Sequence, residues 1–186
     1  MIYIRGFPGI SWVIKVGRWR MSHKAVLEAL TRGMMGEMDS ITTYEEAAAR
    51  SHGEVRDFFA QRAEEEKRHY NWLLEYYRAL SLGETEITGP AVEAVDLPEF
   101  RPLITPDFLK AVGESQYLLA VIASAILLEF DAMKNYRHQS EHTGDSSVKQ
   151  LFDRLSVWEQ DHYDILVEIQ AGSREFWFDS WSAEPL

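Results

Sequence analysis

Cysteine is absent from the 186 residues of this chain. Its absence excludes disulfide bonds, thiolate zinc sites, iron–sulfur clusters and thiol catalysis. It is also compatible with a reducing compartment, and we expect a cytoplasmic protein. Basic residues are few, because 19 Lys and Arg face 30 Asp and Glu, which gives a net charge of −11. This acidity argues against a nucleic-acid partner, since neutralising phosphates requires clustered Lys and Arg.

Long hydrophobic runs are also lacking. The longest is YLLAVIASAILLEF at residues 117–130, and its core is shorter than the roughly 20 residues that cross a bilayer. We therefore expect a buried helix here. Because the segment is apolar nearly all round, both of its sides need cover. A homodimer, the commonest symmetric assembly, is the predicted cover, with packing by the two chain ends as the alternative.

The first twenty residues contain no Asp or Glu. Charges interrupt their apolar stretch and no small-residue cleavage site follows, so a signal peptide is not expected. We predict that residues 1–21 form an arm that packs on this subunit or on a neighbour. Contact between its basic residues and a membrane surface is the alternative, which we do not favour. The sequence leaves open whether Met21 is the natural start.

Proline is sparse, and four of the six prolines lie within residues 81–106. This segment is predicted to be a long irregular crossover. On both sides of it, apolar residues recur at steps of three and four, which indicates packed helices. We therefore predict one domain, residues 1–186, with helical hairpins at 22–80 and 107–172. An aromatic tail at 173–186 is expected to dock on the bundle.

The two hairpins are copies of one another. Residues 27–48 match 119–140 at an offset of 92, and residues 54–75 match 147–168 at an offset of 93. Such a repeat at a fixed offset indicates a duplicated unit. Two helical hairpins joined by a long crossover predict an all-α protein with the fold of a four-helix bundle.

Each of the four apolar seams is interrupted by one glutamate. The predicted turns lie at His52 and Gly144, and each glutamate is 14 or 15 residues from its turn. Equal counts in an antiparallel hairpin give equal heights, here roughly 22 Å from the turn at 1.5 Å per residue. Four carboxylates should therefore converge in the middle of the bundle. They are Glu37, Glu66, Glu129 and Glu159.

A histidine follows two of these glutamates by three residues and therefore shares their helix face. These histidines are His69 and His162. Four carboxylates cannot share a dry core without compensation, because buried like charges protonate rather than coexist. Two divalent cations would balance them, and oxygen with imidazole donors suits iron or manganese.

The alternative is a Glu-x-x-His that lies on a solvated surface. We expect its neighbours Glu64, Glu65 and Lys67 to be exposed, which is compatible with that reading. A seam glutamate would then pair with Arg62, in a bundle that binds no metal. The conjunction of repeat, equal height and seam position favours the dinuclear metal site.

The pattern Glu37…Tyr44, Glu66-x-x-His69, Glu129…Tyr136, Glu159-x-x-His162 resembles the ferritin-like diiron-carboxylate superfamily, most closely its rubrerythrin-like branch, over residues 22–172. The resemblance implies that Glu66 and Glu159 bridge two metal ions. Glu37 with His69, and Glu129 with His162, would supply the terminal ligands. Tyr44 and Tyr136 would be hydrogen-bond partners of the ligands or redox-active phenols, with ordinary core tyrosines as the alternative.

The chain departs from rubrerythrins in two ways. These residues contain no rubredoxin domain, because that domain needs cysteine ligands. Ile126 stands where rubrerythrins have an additional glutamate, so the site is expected to be symmetric, with six ligands.

These features imply a dinuclear iron oxidoreductase of ferroxidase or peroxide-reducing type, with two Fe ions as cofactor. Its oxidant would be O2 or H2O2, and its electrons would come from Fe(II) itself or from an electron-donor protein. A manganese catalase-like enzyme and a non-catalytic metal-binding or iron-sensing module are the alternatives. No signal indicates a mineral-storing shell.

Overall fold

The computed structural model describes residues 21–84 and 104–182, and within these ranges it contains five helices and no strand. The helices are α1 (His23–Ala49), α2 (Gly53–Ser81), α3 (Pro106–Gly113), α4 (Gln116–His142) and α5 (Ser146–Ser182). The predicted all-α fold is confirmed. Residues 1–20 of the predicted arm, most of the crossover and the last four residues lie outside the described ranges.

Short polar residues set where the helices begin. The Ser22 side chain accepts a hydrogen bond from the Ala25 N–H at the start of α1, and Ser115 caps α4 in the same way through Leu118. Such caps satisfy backbone donors that have no partner within the helix. Gly53 begins α2 with φ at +56°, a left-handed conformation that favours glycine. Local sequence therefore sets where α1, α2 and α4 begin.

α1 packs along α2, and α4 packs along α5, as two helical hairpins. The hairpins meet through α1 against α4 and α2 against α5. Two apolar clusters fill the bundle, one towards each end. The first includes Tyr44, Phe59, Ile122 and Leu166, and the second includes Leu30, Leu73, Tyr136 and Phe152. The layer between these clusters is where the seam glutamates lie.

The aromatic end of the chain differs from the prediction. Residues 173–182 are the last turns of α5, a helix of 37 residues, and do not form a separate tail. The short helix α3 packs on this extension. A Cβ added to Gly113 would lie 2.5 Å from the Ser173 backbone oxygen and 2.7 Å from the Phe176 Cβ. Glycine at this position therefore allows the close approach of α3 to α5.

Among the described helices, α4 has the length and the apolar composition that crossing a membrane would require. A core helix of a soluble protein passes the same test, and α4 packs in the bundle through Ile122, Met133 and Tyr136. Only 28% of its most apolar window is buried within this chain, and Leu127 is 65% exposed. The outward side of α4 thus lacks cover from the described residues, and the homodimer stays a prediction.

Candidate metal centre

Each long helix contributes one glutamate to the middle of the bundle. Glu37 comes from α1, Glu66 from α2, Glu129 from α4 and Glu159 from α5, and no residue among them is more than 2% exposed. Two apolar clusters lie on either side of this layer. An ionised carboxylate in such surroundings is costly unless a cation or a hydrogen-bond donor compensates it.

The four glutamates and two histidines form two groups of four that share Glu66 and Glu159. One group adds Glu37 and His69, and in it one ligand atom per residue lies within 4.8 Å of the others. The second group adds Glu129 and His162 at the same spacing. The buried cluster can therefore hold metal, and its two halves correspond to the two halves of the internal repeat.

His69 directs its Nδ1 atom into the cluster. This nitrogen lies 3.0 Å from Glu159 Oε1, 3.1 Å from Glu66 Oε2 and 3.8 Å from Glu37 Oε2. The imidazole is 1% exposed. His69 therefore faces three of the four carboxylates, two of them at hydrogen-bonding distance.

His162 has the equivalent orientation in the other half. Its Nδ1 lies 2.9 Å from Glu66 Oε1, 3.5 Å from Glu159 Oε2 and 3.9 Å from Glu129 Oε2. Both histidines thus contact the shared glutamates with the same ring nitrogen. The six side chains thus have an approximate twofold arrangement about an axis perpendicular to the bundle, because equivalent residues of the two hairpins lie in opposite end clusters.

Several inward atoms lack a hydrogen bond of acceptable geometry within the described part of the chain. Buried polar atoms are almost always satisfied in folded proteins, so such a group of exceptions calls for an explanation. A cation among them would supply the missing partner, and carboxylate oxygens with imidazole nitrogens form a donor set that suits iron or manganese. The atoms are Glu66 Oε1, Glu129 Oε2, both Oε atoms of Glu159 and His162 Nδ1.

Burial and charge divide the carboxyls into two kinds. Burial raises the pKa of Glu37 and of Glu129 well above the ordinary value, and a neighbouring carboxylate adds to the effect. Burial acts in the same direction on Glu66, but the charges of His162 and His69 outweigh it and hold its pKa well below the ordinary value. Against burial and the charge of Glu66, the imidazoles lower the pKa of Glu159 to about 2.

The histidines respond to the same charges. Burial acts to lower the pKa of each imidazole, but the carboxylates outweigh it and raise the pKa of both His69 and His162 well above the ordinary value. In the metal-free cluster, these raised pKa values favour protons on Glu37, Glu129 and both imidazoles, which would offset the charge of Glu66 and Glu159.

The two tyrosines link the hairpins. The Tyr44 hydroxyl on α1 donates a hydrogen bond to Glu129 on α4, and the Tyr136 hydroxyl on α4 donates to Glu37 on α1. Each phenol thus contacts the outer glutamate of the opposite hairpin, which its position in the sequence did not indicate. Burial, with the adjacent carboxylate, raises the pKa of both phenols well above the ordinary value, so they remain O–H donors.

Glu65 was expected to be exposed, and that expectation is wrong. The residue is 7% exposed and pairs with Arg62, whose Nη1 lies 2.9 Å from Glu65 Oε2. The same oxygen lies 3.3 Å from His162 Nε2. The nearby His162 imidazole and the charge of Arg62 outweigh burial and lower the pKa of Glu65. The ion pair shown for Arg62 is therefore with Glu65.

The structure brings together all six predicted ligand residues and both predicted tyrosines. The residues behind the two histidines were not predicted from the sequence; they are Glu65 beside His162 and the Trp72 and Trp158 rings beside His69. One signal was present in the sequence. Arg62 occupies an apolar seam position, and a buried guanidinium needs a buried acid nearby.

No curated protein and no solved structure matches this chain. The family model described as Rubrerythrin matches residues 28–170, which include every glutamate and histidine of the cluster. The match covers α2 and α4 in full and most of α1 and α5. The chain belongs to the rubrerythrin family.

Proposed function

We propose that the chain is an oxidoreductase that binds two iron ions in the bundle core and reduces O2 or H2O2. The observation that supports this most directly is the pair of buried ligand groups that share Glu66 and Glu159. Iron fits the donor set of carboxylate and imidazole. The electrons would come from Fe(II) supplied as substrate or from an electron-donor protein.

Each half of the cluster would hold one ion. Glu37 and His69 would bind one, Glu129 and His162 the other, and Glu66 and Glu159 would contact both. A redox-active metal pair bound here would supply electrons to the oxidant. Four carboxylates and two neutral imidazoles balance two divalent cations, so the loaded core would have no net charge.

The remaining residues of the core set the conditions for this chemistry. The two apolar clusters exclude water from both ends of the site, which strengthens electrostatic interactions within it. Tyr44 and Tyr136 hold the outer glutamates through hydrogen bonds from the opposite hairpin. These bonds fix the carboxylates of Glu37 and Glu129 and place an O–H donor beside each.

The test is oxidation of Fe(II) by the full chain. After anaerobic addition of two Fe(II) per chain, exposure to air or H2O2 should remove Fe(II) faster than in protein-free solution, measured with a ferrous chelator and by near-ultraviolet absorption. Preloading with Zn²⁺, which has no redox chemistry, should block the reaction. Fe(II) oxidation no faster than in the Zn²⁺-loaded control would contradict the iron proposal. That conclusion holds whether or not the Mn²⁺-loaded chain releases O2 from H2O2.

Metal binding should release protons and strengthen as pH rises. Groups with raised pKa, namely Glu37, Glu129 and the two histidines, hold protons in the metal-free cluster, and ligands must lose them to bind. We expect release of up to about four protons per two cations near neutral pH, since each of these groups gives up at most one. Calorimetry in two buffers of different ionisation enthalpy measures this number. Binding without proton release, or affinity that falls as pH rises, would contradict the prediction.

A further inference from the structure

The two histidines of the cluster have different outer neighbours. On the side of His162 that faces away from the cluster, Nε2 lies 3.3 Å from Glu65 Oε2. Glu65 is held in turn by Arg62, at 2.9 Å. The side chains of Glu65 and Arg62 are 9% and 3% exposed, so solvent screens the pair weakly. His162 is thus backed by a buried carboxylate.

His69 is backed by aromatic rings. The Trp158 ring stacks on the imidazole with centroids 5.3 Å apart and planes 6° apart, and the Trp72 ring lies 5.6 Å away on a plane tilted by 30°. Among the described residues, the carboxylates paired with His69 all face its Nδ1 atom. The rings give the imidazole a rigid apolar cover that supplies no carboxylate.

The internal repeat makes this difference specific. At the offset of 93, Glu65 corresponds to Trp158, and Arg62 corresponds to Leu155. The ligand residues are of the same types in both halves of the repeat. The Glu–Arg pair that lies behind His162 has no counterpart at the equivalent positions behind His69. The approximate symmetry of the six ligands therefore does not extend to the residues that orient them.

The carboxylate has a known physical effect on a ligating imidazole. An acceptor on the outer N–H fixes the tautomer and the ring orientation, and it makes the inner nitrogen a stronger donor. Loss of such a partner typically costs about 10–100-fold in metal affinity. A stacked indole restricts the ring without strengthening its donor atom, so the two inner nitrogens are unequal.

We propose that the two metal positions are inequivalent, that the position of Glu129 and His162 fills first, and that Glu65 is the positioning residue responsible. The inference rests on the proposed metal-binding function and deepens it. It predicts two separate binding steps for a divalent cation, with affinities at least about tenfold apart.

Co²⁺ binding to the metal-free full chain, measured by calorimetry and visible absorption, tests the order. Wild type should bind two Co²⁺ in two resolved steps. Glu37→Gln removes an outer ligand from the His69 position and should leave one strong step. Glu129→Gln removes the equivalent ligand from the His162 position and should leave one weak step. The reverse assignment, or two equal steps in wild type, overturns the proposal.

Glu65→Gln then identifies the cause. In the Glu37→Gln background it should lower the Co²⁺ affinity of the remaining step by about 10–100-fold. In the Glu129→Gln background it should change the Co²⁺ affinity by less than about twofold. A merely structural role would weaken both backgrounds alike, and that result overturns the proposal.

Glu64→Gln is the matched control, because this neighbouring glutamate is exposed and pairs with Lys67. It should leave both steps unchanged, and far-ultraviolet circular dichroism checks that every variant is helical. Failure of wild type to bind any Co²⁺ would instead refute the metal site itself, so the two failures are distinguishable.

Discussion

Replacing Glu66 with alanine is expected to abolish metal binding at both positions and to reduce Fe(II) oxidation to the rate of protein-free solution. Glu66 belongs to both ligand groups, and its two oxygens lie 3.1 Å from His69 Nδ1 and 2.9 Å from His162 Nδ1. Loss of a ligand should lower metal affinity more than loss of the residue that hydrogen-bonds to a ligand from behind, which costs about 10–100-fold. We therefore expect affinity to fall by more than about 100-fold at each position.

The comparison with an outer ligand makes this prediction specific. Glu37→Ala should reduce the stoichiometry of bound Co²⁺ from two to one, because Glu37 belongs to one group only. Glu64→Ala, adjacent to Glu66 but with its side chain 65% exposed, should retain both ions and full oxidation. Two ions bound by Glu66→Ala would show that the cluster does not work as the geometry indicates.

Metal removal is expected to lower the melting temperature of the chain by about 15–30 °C. A ligand that binds only the folded state stabilises it by about 4 kcal/mol when its free concentration is about 1,000 times Kd. Two positions then contribute about 8 kcal/mol, and each kcal/mol shifts the melting temperature by about 2–4 °C for a domain of this size. The metal-free chain should still fold, because protons balance the buried charge.

Differential scanning calorimetry of the chain with Co²⁺, and after chelation and dialysis, measures the shift. Glu66→Ala is the control, since its melting temperature should not respond to Co²⁺. A change of less than about 3 °C in wild type, with bound metal verified before and after, would mean that the ions contribute little to the folded state.

Much of the fold and of the cluster could be predicted from the sequence, because the relevant information is local. The steps of three and four residues define which side of a helix is buried. Counting from the turns at His52 and Gly144 gives the heights of the glutamates. Because the hairpin is duplicated, the count in one hairpin supports the count in the other. All six predicted ligand residues accordingly lie together.

Contacts between helices could not be predicted in this way. Tyr44 lies on the same helix as Glu37, yet its hydroxyl donates to Glu129 of the opposite hairpin. The length of α5 was also misjudged, since an aromatic composition does not distinguish a docked tail from a helix that continues to Ser182. The contact of Glu65 with His162 likewise joins α2 to α5, so spacing along one helix does not reveal it.

The sequence by itself determined that two helical hairpins would each direct two glutamates and one histidine into a shared layer. Spacing along one helix is sufficient for this, because the rise and turn of the α-helix are fixed. The tertiary structure alone decided which side chains meet across helices, and so placed a carboxylate of α2 beside His162 and an indole ring of α5 beside His69. The reason is that the rotation and separation of packed helices depend on every side chain between them, not on a repeat within one helix.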